Sequence, residues 1–192
     1  MLKATLALAL ATPLLASAES NLVATGSATA RLDFRVVIPR VLFLGVGTGA
    51  TVTPLANNTT VDMVTFDYTA NPTAIGTGAP ATTITGNVVP VRVVGNNGQI
   101  TLTASTTGAL TNATADTIPW TQITSTSSLP ALPSPVIPAT GAGVASNVTL
   151  SSGTRVTDRS ANWTFSYANA ATVAPGTYGT TNGRVTYTAA MP

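Results

Sequence analysis

The chain has 192 residues, of which 44% are apolar and only 7% charged, and it contains no histidine and no cysteine. Its single lysine is Lys3, so every later positive charge is an arginine (Arg31, Arg35, Arg40, Arg92, Arg155, Arg159, Arg184), set against six acidic residues. No basic run offers the footprint of nucleic-acid binding, and beyond Lys3 the usual histidine base, thiolate, Schiff-base amine and transition-metal ligands are all missing.

Residues 1–18 read as a secretory signal. Lys3 is the positive end, Ala4 to Ala16 is the apolar run, and Ala16-Ser17-Ala18 fits the small-x-small cleavage rule. The run is too short for a hydrocarbon core of ~30 Å, which takes roughly 20 residues, and Pro13 interrupts it. Nothing later is long and apolar enough to span a membrane. The expectation is an exported protein that starts at Glu19. Lack of disulfides in an exported chain suits a bacterial envelope. The remaining length suits one domain that can bury a core without staples.

Beyond Glu19 the periodicity is two, with almost no trace of 3.6. Ala28, Ala30, Leu32, Phe34, Val36 and Ile38 alternate with Thr29, Arg31, Asp33 and Arg35, which predicts a half-buried strand at the start of the mature chain. The short run "RVLFLGVG" follows. "VDMVTFDYT" (61–69) places Val64, Phe66 and Tyr68 on one face. In "NVVPVRVVG" (87–95), Pro90 cannot donate to a ladder, so that strand is expected at an edge or beginning after it. "NNG" (96–98) predicts a hairpin turn into "QITLTAST" (99–106). "LPALPSPVIP" (129–138) reads as a stiff extended connector. "SNVTLSS" and "TRVTDRS" flank a turn at Gly153. "ANWTFSYAN" (161–169) aligns Trp163, Phe165 and Tyr167, and the last strand aligns Val185, Tyr187, Ala189 and Met191. Short strands punctuated by turns predict an all-β sandwich. Each large apolar side chain buried in it contributes ~1.5–3 kcal/mol.

The carboxylates are Glu19, Asp33, Asp62, Asp67, Asp116 and Asp158. Asp62 and Asp67 fall on opposite faces of a regular strand, unlike a paired-carboxylate glycosidase. No calcium loop occurs. "GVGTG" (45–49) lacks the Lys-Ser/Thr of a phosphate loop and reads as a glycine-rich turn. Asn112 and Asn162 stand in glycosylation sequons, and Asp158-Arg159 reads as a surface pair. No catalytic, cofactor-binding or metal residue is expected, nor any cofactor; the chain is not expected to be an enzyme.

Three stretches carry a likeness to a known family: "NLVATGSATARLDF", "VPVRVVGNNGQITLTAS" followed later by "IPWTQI", and the ending "PGTYGTTNGRVTYTA". Together they resemble bacterial fimbrial (pilin) subunits of the chaperone–usher type, the cysteine-free alpha-type fimbriae. The chain departs from many pilins in having Met191 where they carry a penultimate tyrosine. The resemblance implies an immunoglobulin-like β-sandwich that lacks a strand, completed by the N-terminal extension of the next subunit. It implies a signal at 1–18, an extension at 19–30 with Leu22, Ala24, Gly26 and Ala28 as donor residues, and a β-sandwich domain at 31–192. Val185, Tyr187, Ala189 and Met191 belong to its C-terminal strand. The implied function is a structural subunit of a surface filament in adhesion or biofilm formation. It would form homopolymers and meet a periplasmic chaperone and an outer-membrane usher. The alternative is a self-contained secreted binding module for polysaccharide or another envelope ligand, using loops near Trp120 and Pro130 to Pro138.

Overall fold

The computed structural model describes residues 19–51 and 53–192; the expected signal, residues 1–18, lies outside the described residues. The chain divides between Pro39 and Arg40 into two units, nine residues beyond the boundary expected from sequence. In the first unit, the described residues up to Pro39 form no strand. The half-buried strand expected over Ala28–Ile38 is therefore absent. Leu32 (70% exposed), Phe34 (86%), Val36 (81%) and Ile38 (76%) all stand in solvent. Alternation specifies which face of a strand would be buried; it does not supply the neighbour whose ladder makes it a strand.

The second unit holds β1 (Leu42–Val46), β2 (Thr65–Asp67), β3 (Thr83–Thr85), β4 (Val88–Gly95), β5 (Ile100–Thr106), β6 (Leu110–Thr111), β7 (Thr117–Ile118), β8 (Ile123–Ser127), β9 (Gly141–Ala142), β10 (Ser146–Val148), β11 (Thr157–Tyr167) and β12 (Thr186–Ala190). Three short 3-10 turns, at Gly47–Thr51, Pro72–Ala74 and Trp120–Gln122, are the helical content of the described residues. The protein is all-β. One sheet has the order β1-β4-β11-β8; the other runs β10-β5-β12, with β9 also on β5. The pairs β2-β3 and β6-β7 stand apart as two-stranded sheets, and every pairing is antiparallel.

The two large sheets share one core. β4 turns Val89, Val91 and Val93 inward, and β11 adds Ala161, Trp163 and Phe165. The second sheet answers with Ile100, Leu102 and Val148. On the opposite faces Thr101, Thr103 and Ser105 are only half-buried, and Asn162 and Ser166 are exposed, the alternation a one-sided sheet requires. The aromatic run thus sits as expected, with Tyr167 only half-buried at its end.

Four local expectations need correction. Pro90 lies inside β4, a central strand rather than an edge. Its partner Asn162 directs both its N–H and its C=O to Ser128, so the Pro90 position owes β11 no ladder bond. On its other flank β1 ends opposite Val91, and the missing N–H disrupts nothing. The 96–98 turn closes no hairpin. β4 is flanked on both sides by β1 and β11, so the chain crosses to the other sheet, with Gly98 at φ +106°. The 129–138 connector is extended, as predicted, but it is part of the core: Leu132 is fully buried and Ile137 nearly so. The "VDMVTFDYT" strand is shorter than expected, three residues paired with β3.

Candidate assembly surface

The two sides of the paired sheets differ. On one side the proline-rich connector covers the outer strands of both sheets. It receives hydrogen bonds from β8, Ser127 Oγ to the Leu129 and Leu132 carbonyls at 3.0 and 2.6 Å, and Ser134 Oγ bonds Ser125 Oγ at 2.7 Å. Toward the other sheet, Thr149 N donates to the Ala131 carbonyl at 2.8 Å and Thr106 Oγ1 to the Pro138 carbonyl at 3.0 Å. Prolines suit this task because they cover an edge without offering a new one.

Among the described residues of the second unit no comparable cover lies on the opposite side, where β1 ends one sheet and β12 the other, near each other. The two strands run antiparallel, because the start of β1 meets the end of β4 while the end of β12 meets the start of β5. The inward-facing residues here are only half-buried: Leu44 and Val46 from β1, and Val185, Tyr187, Ala189 and Met191 in and around β12. Of the C-terminal set only Tyr187 and Ala189 lie within β12 itself, with Val185 and Met191 just beyond its ends, and all four pack against the core on this side.

Register fixes which backbone groups are unused. Ala104 gives its carbonyl to Gly143 N at 2.8 Å, away from β12. The β5–β12 ladder therefore runs through Ser105, Thr103 and Thr101, opposite Thr186, Thr188 and Ala190. By alternation the peptide groups of Tyr187 and Ala189 face outward from the sheet edge. Tyr187 packs its ring on Trp163, with centroids 5.0 Å apart. Its hydroxyl is buried without a hydrogen-bond partner, and burial pushes the phenol far above the usual tyrosine range.

The start of the second unit is tied down at the same end. Val41 N donates to Asn96 Oδ1 at 2.9 Å, and Asn96 N returns a bond to the Val41 carbonyl at 3.3 Å. The Arg40 guanidinium and the Asn97 amide both donate to the Pro192 carbonyl. In the first unit, Leu22 is almost fully exposed and Ala24 and Ala28 are also exposed. The chain bends over Ala24–Gly26, with Gly26 at φ +95°. Arg31 reaches back to Glu19 at 2.8 Å, which holds the Glu19 carboxyl below its usual range.

The residues of the alternative reading are placed differently from what a ligand platform needs. Trp120 is 5% exposed and donates its indole N–H to the Gly108 carbonyl at 2.6 Å. Asn112 is buried too, accepting from Thr114 N and Asp116 N, and the Asp116 carboxyl it touches is held low by Thr114 first and Asn112 second. The sequence offered no signal that this sequon is a loop anchor. Asp62 serves the 3-10 turn after β1, accepting from Thr48 N at 2.5 Å, and Asp67 is held low by Thr69. Asp158 pairs with Arg92 across β11 and β4 at 3.3 Å rather than with its neighbour Arg159, which bonds the Thr149 and Leu150 carbonyls.

No helix among the described residues is long and apolar enough to cross a membrane. Comparison with known protein families, with curated proteins and with solved structures finds no match for this chain.

Proposed function

We propose that this protein is a structural subunit of an extracellular filament, in which an N-terminal segment of one copy completes the sheet of the next. In this reading the second unit is an immunoglobulin-like sandwich short of one strand, residues 1–18 are a cleaved export signal, and the filament stands on a bacterial surface, serving adhesion or biofilm formation. A periplasmic chaperone and an outer-membrane usher would handle the incomplete subunit.

One observation carries it. The chain holds an alternating apolar segment with no sheet and, separately, a sheet side with an uncovered edge. A strand laid on such an edge satisfies unpaired peptide groups and covers the apolar groove in one step. Each exposed Leu, Ile, Val or Phe so buried contributes ~1.5–3 kcal/mol. Because donor and acceptor are different surfaces, the contact is heterologous and propagates as a filament. The low charge of the chain lets such copies approach one another. The secreted binding module loses support, since Trp120 is enclosed by its own fold.

The test is size-exclusion chromatography with light scattering on the chain beginning at Glu19, followed by electron microscopy. Polymers that persist in mild denaturant are expected. A stable monomer with residues 19–39 paired inside its own sheet rejects the reading.

A further inference from the structure

The N-terminal segment contains two candidate strands, and their geometry differs. Resting on the assembly reading above, we infer that residues 28–38 are the strand that pairs with the β12 edge of a second copy of this chain, with Leu32, Phe34, Val36 and Ile38 on its inward face. Residues 19–27 stay outside that pairing.

The earlier stretch is poorly suited. It bends over Ala24–Gly26, with Gly26 in the left-handed region at φ +95°. Its inward set, Leu22, Ala24, Gly26 and Ala28, contains one large side chain. The later stretch is uninterrupted, and four large apolar residues on its even face are 70 to 86% exposed. Its odd face carries Thr29, Arg31, Asp33 and Arg35, all exposed, and turns apolar only at its end, at Val37 (76% exposed). One apolar and one polar face is the pattern already seen in β5, where Ile100, Leu102 and Ala104 are buried and the intervening Thr and Ser are not.

The acceptor is β12, because its edge is the unshielded one of its sheet. Tyr187 and Ala189 turn their peptide groups outward, and their own side chains are half-buried while Thr186, Thr188 and Ala190 between and beside them are exposed. The β8 side is covered by the connector. The occupant is a second copy rather than the same chain for a local reason. Only Pro39, Arg40 and Val41 separate Ile38 from β1. Arg40 and Val41 are already bound to Pro192 and Asn96. Reversal onto the adjacent strand through so short a link needs a residue at positive φ; Pro39 cannot adopt one, and neither Arg40 nor Val41 has one.

Because the chain has no cysteine, single cysteines report contacts cleanly. The chain beginning at Glu19 is prepared as Ala189→Cys and mixed under mild oxidation with Leu32→Cys, Phe34→Cys or Val36→Cys, and separately with Leu22→Cys or Ala24→Cys. Disulfide-linked heterodimers are expected from at least one of the first set, in several-fold excess over the second. Heterodimers from Leu22→Cys or Ala24→Cys alone overturn the register and leave the filament reading standing. Polymers that form with no cross-link to Ala189→Cys overturn β12 as the acceptor. A chain that never polymerises overturns both. As a second readout, Phe34→Asp should abolish polymers while Leu22→Asp keeps them; the reverse pattern overturns the inference.

Discussion

The rings of Trp163 and Tyr187 meet at 5.0 Å and 58°, joining β11 of one sheet to β12 of the other. Trp163 is fully buried and also donates its indole N–H to the Leu132 carbonyl at 3.3 Å. This one indole therefore touches both the connector that closes one side of the sheets and the edge strand that leaves the other side open.

The Tyr187 hydroxyl has no partner. A buried polar atom left unsatisfied costs about 1–3 kcal/mol, so Tyr187→Phe is expected to be neutral or to stabilise by up to about that amount. Urea unfolding measures it. A loss above ~1 kcal/mol would mean that the hydroxyl does have a partner.

The same residue sets an alkaline limit. Burial raises the folded-state phenol far above its ordinary range, while the unfolded phenol ionises near pH ~10. Above that pH the unfolded chain has lost a proton that the folded chain keeps. Stability is therefore full below pH ~10 and falls as pH rises beyond it. Thermal unfolding between pH ~8 and ~11 should show this decline, and Tyr187→Phe should reduce it. An unchanged alkaline slope in the variant would assign the effect to other tyrosines.

Leu132 is fully buried although it sits in a proline-rich stretch. Leu132→Ala is expected to cost about 2–5 kcal/mol, seen as a lower urea midpoint with the slope retained. A cost under ~1 kcal/mol would show that the connector merely spans the gap instead of sealing it.

Trp120→Phe deprives the Gly108 carbonyl of its donor. The expected cost is about 1–3 kcal/mol, with no change in binding to a polysaccharide array. A selective loss of glycan binding at unchanged stability would revive the binding-module reading.

Arg92 and Asp158 form a partly exposed pair at 3.3 Å. A double-mutant cycle with Arg92→Ala and Asp158→Ala should give a coupling below ~1 kcal/mol that fades with added salt. A larger coupling would make this pair a structural clasp between β4 and β11.

Much of the fold was legible as alternation. The period-two runs in β4, β5, β11 and β12 name their own inward faces, because one face of each strand must leave water. Trp163, Phe165 and the Val185–Met191 set were readable in this way. Pairing was not. The "NNG" turn is a good hairpin signal, yet it crosses between sheets because β4 already has two neighbours. Pro90 argued for an edge, since sequence cannot tell that its N–H side faces a place where β1 has ended.

The sequence by itself determined an all-β chain, the inward faces of its strands and the amphipathic character of residues 28–38, because side-chain periodicity is a local property. Only the tertiary structure decided that the proline-rich connector seals one side, that Trp120 and Asn112 are internal, and that β12 keeps a bare edge. Those outcomes depend on which strands win which partners, a competition between segments far apart in the chain, and no local pattern records its result.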